Sequence, residues 1–164
     1  MSATDQDWAR AYAKQALSDL DAREKLAIAG AHKCHRLHFL QMAAEKVCKA
    51  YLTTNNGHGN VRKTHAYVAK QLPLIASTFY SSGGNRITVW EVSEIKRLAH
   101  EIQVLAPACD DGDVRLDNCE YPWEDAGGNV QVPSEYNFPK LDDGSRTIVR
   151  LIRLIRTASE SYTR

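Results

Sequence analysis

No apolar run in this chain approaches the roughly 18 residues that a membrane-spanning helix needs. The opening "MSATDQDWAR" has neither the basic start nor the apolar stretch of a secretion signal. Net charge is almost absent: 21 Lys and Arg stand against 20 Asp and Glu, so no global field draws in nucleic acid or anionic lipid. Cysteine is scarce, and the four present (Cys34, Cys48, Cys109, Cys119) show no C-x-x-C spacing. Two of them fall in helix-like sequence, as expected of free thiols in a reducing cytoplasm. There is no Walker loop, G-x-G-x-x-G turn, nucleophile elbow or H-E-x-x-H pair, so no cofactor is expected.

Proline is nearly missing from the first hundred residues, where Pro73 stands alone, and they read as helix after helix. From Asp7 to about Ala29 the chain is Ala-rich, with Trp8, Tyr12, Ala16 and Leu20 on one face, and Gly30 ends it. A second helix, Cys34 to Thr53, repeats Leu37, Leu40, Ala44, Val47, Cys48 and Tyr51 at spacings of three and four. Its outer face carries Glu45 and Lys49 at i, i+4, a solvated ion pair on this reading. After the turn "NNGHGN", Thr64 is a plausible cap for a third helix that buries Val68, Leu72, Ile75 and Phe79, and Pro73 should kink or divide it. "TVWE", Thr88 to Glu91, has the form of a capping box and opens a fourth helix on Val92, Ile95, Leu98, Ile102 and Leu105. A last helix from about Ser145 to Ser161 turns Ile148, Leu151, Ile152 and Ile155 inward and leaves Val149 and Leu154 as surplus apolar surface.

The charge is unevenly spread. Residues 1–106 carry fourteen basic and nine acidic side chains (+5), residues 107–144 two and ten (−8), and residues 145–164 five and one (+4). The acidic stretch past Pro107 also holds three prolines and four glycines, which predicts a long loop. Short strands around "NVQVP" are weakly signalled. The expected architecture over residues 1–164 is one all-α domain, an antiparallel bundle of four to five helices with a long acidic loop before the last.

"LQMAAEKVCKAYL" (Leu40 to Leu52), "KTHAYVAKQL" (Lys63 to Leu72) and "EYPWED" (Glu120 to Asp125) stand in that order along the chain. Together they resemble the HEPN domain family, whose members show a Glu-Lys…Lys-Ala core on one helix. A Thr-His pair opens the next helix, and a Tyr-Pro element follows the fourth. The likeness spans roughly residues 8 to 125. It implies a helical bundle, a homodimer, and a place in prokaryotic defence or toxin–antitoxin systems. Some members are metal-independent ribonucleases that carry Arg, four to six residues, then His. Others bind nucleotides or dock on partners, often a small nucleotidyltransferase.

The ribonuclease spacing is missing here. Arg62 and His65, and again Arg97 and His100, have only two residues between them. Positions i and i+3 share a helix face, so a displaced ribonuclease site at either pair is the alternative. His65 fits better as the packed histidine of the Thr-His element. The candidate binding residues are Lys49 of the Lys-Ala element, Tyr121 and Trp123 of the loop, and Arg146, Arg150 and Arg153 on the last helix. That arginine row, with Arg156, grips nucleotide or RNA phosphates or else pairs with the −8 loop. Glu120 stands where relatives often have an arginine, which weakens phosphate binding there. Tyr121, Pro122 and Trp123 read as pinning the loop to the helices. "HKCHRLH" holds Cys34 and His38 at i, i+4, a spacing that suits zinc, but the sequence shows no second ligand pair nearby and no metal site is expected. The acid-rich loop does not match an EF-hand.

Overall fold

Thr4 starts the first helix: its hydroxyl accepts from the Asp7 amide while the Asp7 carboxylate accepts from the Thr4 amide, a reciprocal cap. The computed structural model describes residues 2–61, 67–82, 89–107 and 115–164. Within them α1 spans Asp5–Ile28, α2 Lys33–Asn56, α3 His58–Val61, α4 Val68–Ser82, α5 Val89–Gln103 and α6 Arg146–Thr163. The one sheet among the described residues pairs β1 (Trp123–Glu124) with β2 (Val130–Gln131) antiparallel, Trp123 opposite Gln131. The chain is therefore mostly helical, and the weak strand signal at "NVQVP" is realised as two residues.

The α1–α2 hairpin carries the heaviest packing. Ala9, Ala13, Ala16 and Leu20 form the buried line of α1, and small side chains there let α2 approach closely. Trp8 does not continue that line. It is 40% exposed and stacks on His58 at 3.9 Å, with Tyr12 beside them. Asp19, buried on α1, takes Gln15 Nε2 at 3.1 Å and Lys46 Nζ at 2.6 Å, so the hairpin also contains a charged tie.

Helix α2 touches α1, α3, α4, α5 and α6, so nearly its whole circumference is covered. That corrects the solvated reading of Glu45 and Lys49. Their carboxylate and ammonium lie 2.9 Å apart with residue exposures of 4% and 7%, and Gln41 Nε2 donates to the other carboxylate oxygen at 3.2 Å. A polar stripe at i, i+4 looks the same in sequence whether water or neighbouring helices surround it.

Gly57, at φ +78° and ψ 147°, ends α2 in a conformation that side chains resist. The next amide, His58 N–H, donates to Asp5 Oδ1 at 2.8 Å and fastens the start of α1 to the end of α2. Pro73 does not divide α4, which runs through it, and Gln103 Oε1 accepts from the Ala69 amide at 2.9 Å. The caps expected at Thr64 and Thr88 lie outside the described residues. Ser145, where the last helix was expected to begin, caps α6 by accepting from the Ile148 amide. Leu154, read as surplus, is buried beside Ile148, Leu151 and Ile155, while Val149 stays 40% exposed.

The segment read as a loop is built around an aromatic knot. Trp123 meets Tyr136 edge-on at 5.0 Å, and Phe138 packs on both. Lys33 Nζ donates to the Asn137 and Phe138 carbonyls, so the end of this segment sits at the start of α2. Asp143 there pairs with Arg23 and Arg36.

Candidate functional site

The arginines of α6 open onto two different grooves. Arg146 and Arg150, one turn apart, line a cleft of about 130 Å³ between α5 and α6, together with Glu91, Glu94 and Thr147. Its floor is apolar: Ile95, Leu151 and Leu154 are all buried. Arg150 Nη1 lies 2.8 Å from Glu91 Oε1, which fixes the guanidinium at the rim. Glu94 is occupied from its far side by Arg97 Nη2 at 3.1 Å. Arg146 is exposed and has no ion-pair partner among the described residues. An exposed arginine beside a fixed one, above an apolar floor, can take a phosphate and an attached flat or apolar group together.

Arg153 and Arg156 line the other groove, about 290 Å³ between α1 and α6, with Leu20, Arg23, Glu24, Val149 and Ile152. Arg156 is spoken for by Asp21 at 3.1 Å and Glu24 at 3.6 Å. Among the described residues no α6 arginine pairs with an acid of the 107–144 segment. The expected neutralisation of the row by that segment is thus not made there. The segment's Asp143 goes to Arg23 and Arg36 instead, because Leu141 and Phe138 are buried in the core and hold it against the start of α2.

The other sequence candidates scatter. Lys49 is buried against Glu45, with its ammonium 5.9 Å over the Tyr12 ring, and is not open to a ligand. Trp123, 6% exposed, is committed to the aromatic knot and does the pinning, whereas Tyr121 is 56% exposed. Arg97 and His100 are both exposed on α5, and Arg97 is held by Glu94 and by the Lys140 carbonyl at 3.3 Å. Arg62 and His65 lie outside the described residues.

A second constellation, missed in the sequence, joins α2 to the 107–144 segment. His38 Nδ1 lies 3.3 Å from Glu120 Oε1, and one ligand atom from each of His38, Cys119 and Glu120 falls within 4.8 Å of the others. Cys119 is buried, its thiol donates to the Leu105 carbonyl at 3.4 Å, and burial followed by the Glu120 charge pushes its pKa up to about 12. Nothing local announces this meeting, since His38 and Cys119 are eighty residues apart in sequence. Compared with family models, with curated proteins and with solved structures, the chain matches none.

Proposed function

We propose that the chain is a HEPN-like helical module that binds a nucleotide, or a phosphate-bearing group like it, in the α5–α6 cleft. The observation that carries this reading is Arg146 standing exposed one turn from the fixed Arg150, above the floor of Ile95, Leu151 and Leu154. A phosphate would sit on Arg146, a base would lie on the apolar floor, and Glu91 and Glu94 are acceptors for ribose hydroxyls. A cleft of about 130 Å³ is below the roughly 300–1,000 Å³ of a pocket that engulfs its ligand, so the nucleotide lies along the surface.

The HEPN resemblance supplies the rest of the reading: an antiparallel bundle, a homodimer, a prokaryotic defence or toxin–antitoxin setting, and a nucleotidyltransferase-type partner. The α1–α6 groove, with exposed Val149 and half-buried Ile152, supports a dimer contact through α6. Among the described residues no helix is long and apolar enough to cross a membrane, and three buried free thiols suit a reducing cytoplasm. The ribonuclease alternative at Arg97 and His100 draws less support, because Arg97 is already engaged by a carboxylate that would repel the scissile phosphate.

Calorimetric titration with adenine and guanine nucleotides tests the proposal. The wild type is expected to bind with a salt-dependent Kd, and Arg146→Ala/Arg150→Ala to bind at least about tenfold more weakly, the loss of about 1.4 kcal/mol or more. Equal affinity in the double variant, or no binding at millimolar nucleotide, would reject it. Incubation with total RNA beside His100→Ala and His65→Ala checks the alternative.

A further inference from the structure

The α2 motif "HKCHRLH" set Cys34 and His38 one turn apart, and the fold brings Cys119 and Glu120 to that same turn. We propose that His38, Cys119 and Glu120 form a binding site for a divalent transition metal of the zinc type, which staples the segment before β1 to α2.

Three observations point there. The first is ligand chemistry: imidazole, thiolate and carboxylate is a set that suits zinc, and magnesium or calcium would not choose a thiol. The second is spacing. Zinc bonds of about 2.0–2.1 Å to nitrogen and oxygen at a tetrahedral angle put those two atoms about 3.3 Å apart. His38 Nδ1 and Glu120 Oε1 are 3.3 Å apart. A sulfur edge of such a tetrahedron is about 3.6 Å, so the 4.8 Å limit of the group closes by about an ångström when the metal enters. The third is the state of His38 Nδ1. The atom is buried and no hydrogen bond satisfies it, because the Glu120 carboxylate beside it is near enough but poorly aligned. A buried ring nitrogen 3.3 Å from a carboxylate and without a hydrogen bond is an unfilled requirement that a cation meets.

Cys34 is buried and stands one turn before His38 on α2, outside the group of three. His38 and Glu120 are each 30% exposed in their side chains, which leaves the metal a way in. Binding would displace the Cys119 proton now given to the Leu105 carbonyl, so uptake releases a proton and strengthens with pH. This inference does not depend on the nucleotide reading, because the cleft at Arg146 shares no residue with it.

The test is titration of the purified, reduced chain with Co²⁺ and then Zn²⁺. Co²⁺ is expected to give a thiolate charge-transfer band that Zn²⁺ abolishes. His38→Gln and Cys119→Ser are expected to weaken binding by at least about a hundredfold, beyond what loss of an outer-shell contact costs. X-ray absorption at the zinc edge of the wild type needs no variant to fold: one or two sulfurs at about 2.3 Å support the site. A shell without sulfur, or a band that survives both ligand variants folded by circular dichroism, overturns it.

Discussion

Replacing Lys49 by methionine separates two views of α2 by a wide margin. Were the Glu45–Lys49 pair a solvated i, i+4 contact, its loss would cost about 0.2–0.5 kcal/mol. With both residues over 90% buried and 2.9 Å apart, methionine keeps the volume but takes the Lys49 ammonium away from a buried carboxylate. Breaking a buried pair from one side costs about 3–5 kcal/mol. Gln41 still donates to Glu45, so the lower end, about 3 kcal/mol, applies. Unfolding entropy near 2.1 cal/mol/K per residue over 164 residues is about 340 cal/mol/K, which converts 3 kcal/mol to a Tm about 9 °C lower. The solvated view predicts a drop of only about 1 °C. Glu45→Leu/Lys49→Met removes both charges and should return to within about 3 °C of wild type, since an apolar replacement of a buried pair is often neutral. Thermal unfolding followed by circular dichroism reads all three. A Lys49→Met drop under about 3 °C, or a double variant that simply adds the two single losses, would refute the reasoning.

Gly57→Ala should destabilise by about 1–3 kcal/mol, because a side chain resists φ +78° with ψ 147° and its Cβ would stand 3.4 Å from Asp5 Oδ2; urea denaturation measures it. Trp123→Ala should cost about 3–5 kcal/mol and erase much of the near-ultraviolet circular dichroism from the Trp123–Tyr136–Phe138 knot, whereas Tyr121→Ala should change stability by under about 0.5 kcal/mol. Burial pushes the Tyr162 phenol up to about 12, so the unfolded chain loses this proton first. Stability from this group is whole below pH 10 and is lost as pH rises from 10 to 12, and Tyr162→Phe should flatten that part of the urea-midpoint profile.

What could be read from the sequence followed period. Ile95, Leu98, Ile102 and Leu105 recur at helical spacing and are buried, and the last helix starts at Ser145 as its pattern indicated. Where a helix is covered on all sides, period misleads: Gln41, Glu45 and Lys49 trace a stripe that only tertiary packing reveals as internal. Trp8 failed for the opposite reason, since its apolar bulk is satisfied by stacking on His58 at the surface. The knot at Trp123 has no period at all, as its members sit thirteen and fifteen residues apart in irregular chain. Charge blocks misled as well: Asp143 is three residues from Arg146, yet it pairs with Arg23 and Arg36. Arg146 and Arg150 were legible as site residues, but Glu91 and Glu94 facing them were not, because they arrive from another helix.

The packing of α6 against both α1 and α2 has a consequence in time. A ribosome adds about 5–20 residues per second, and roughly 90 residues separate Asn56 from Arg146, so the finished hairpin waits about 4.5–18 s for its last helix. Helical hairpins form far faster than that. During the interval the surfaces later covered by Ile148, Leu151 and Ile155 face solvent on a nascent chain. Chains arrested before residue 145 are expected to be protease-sensitive in α1 and to recruit chaperones, and chains extended past residue 163 to lose both traits.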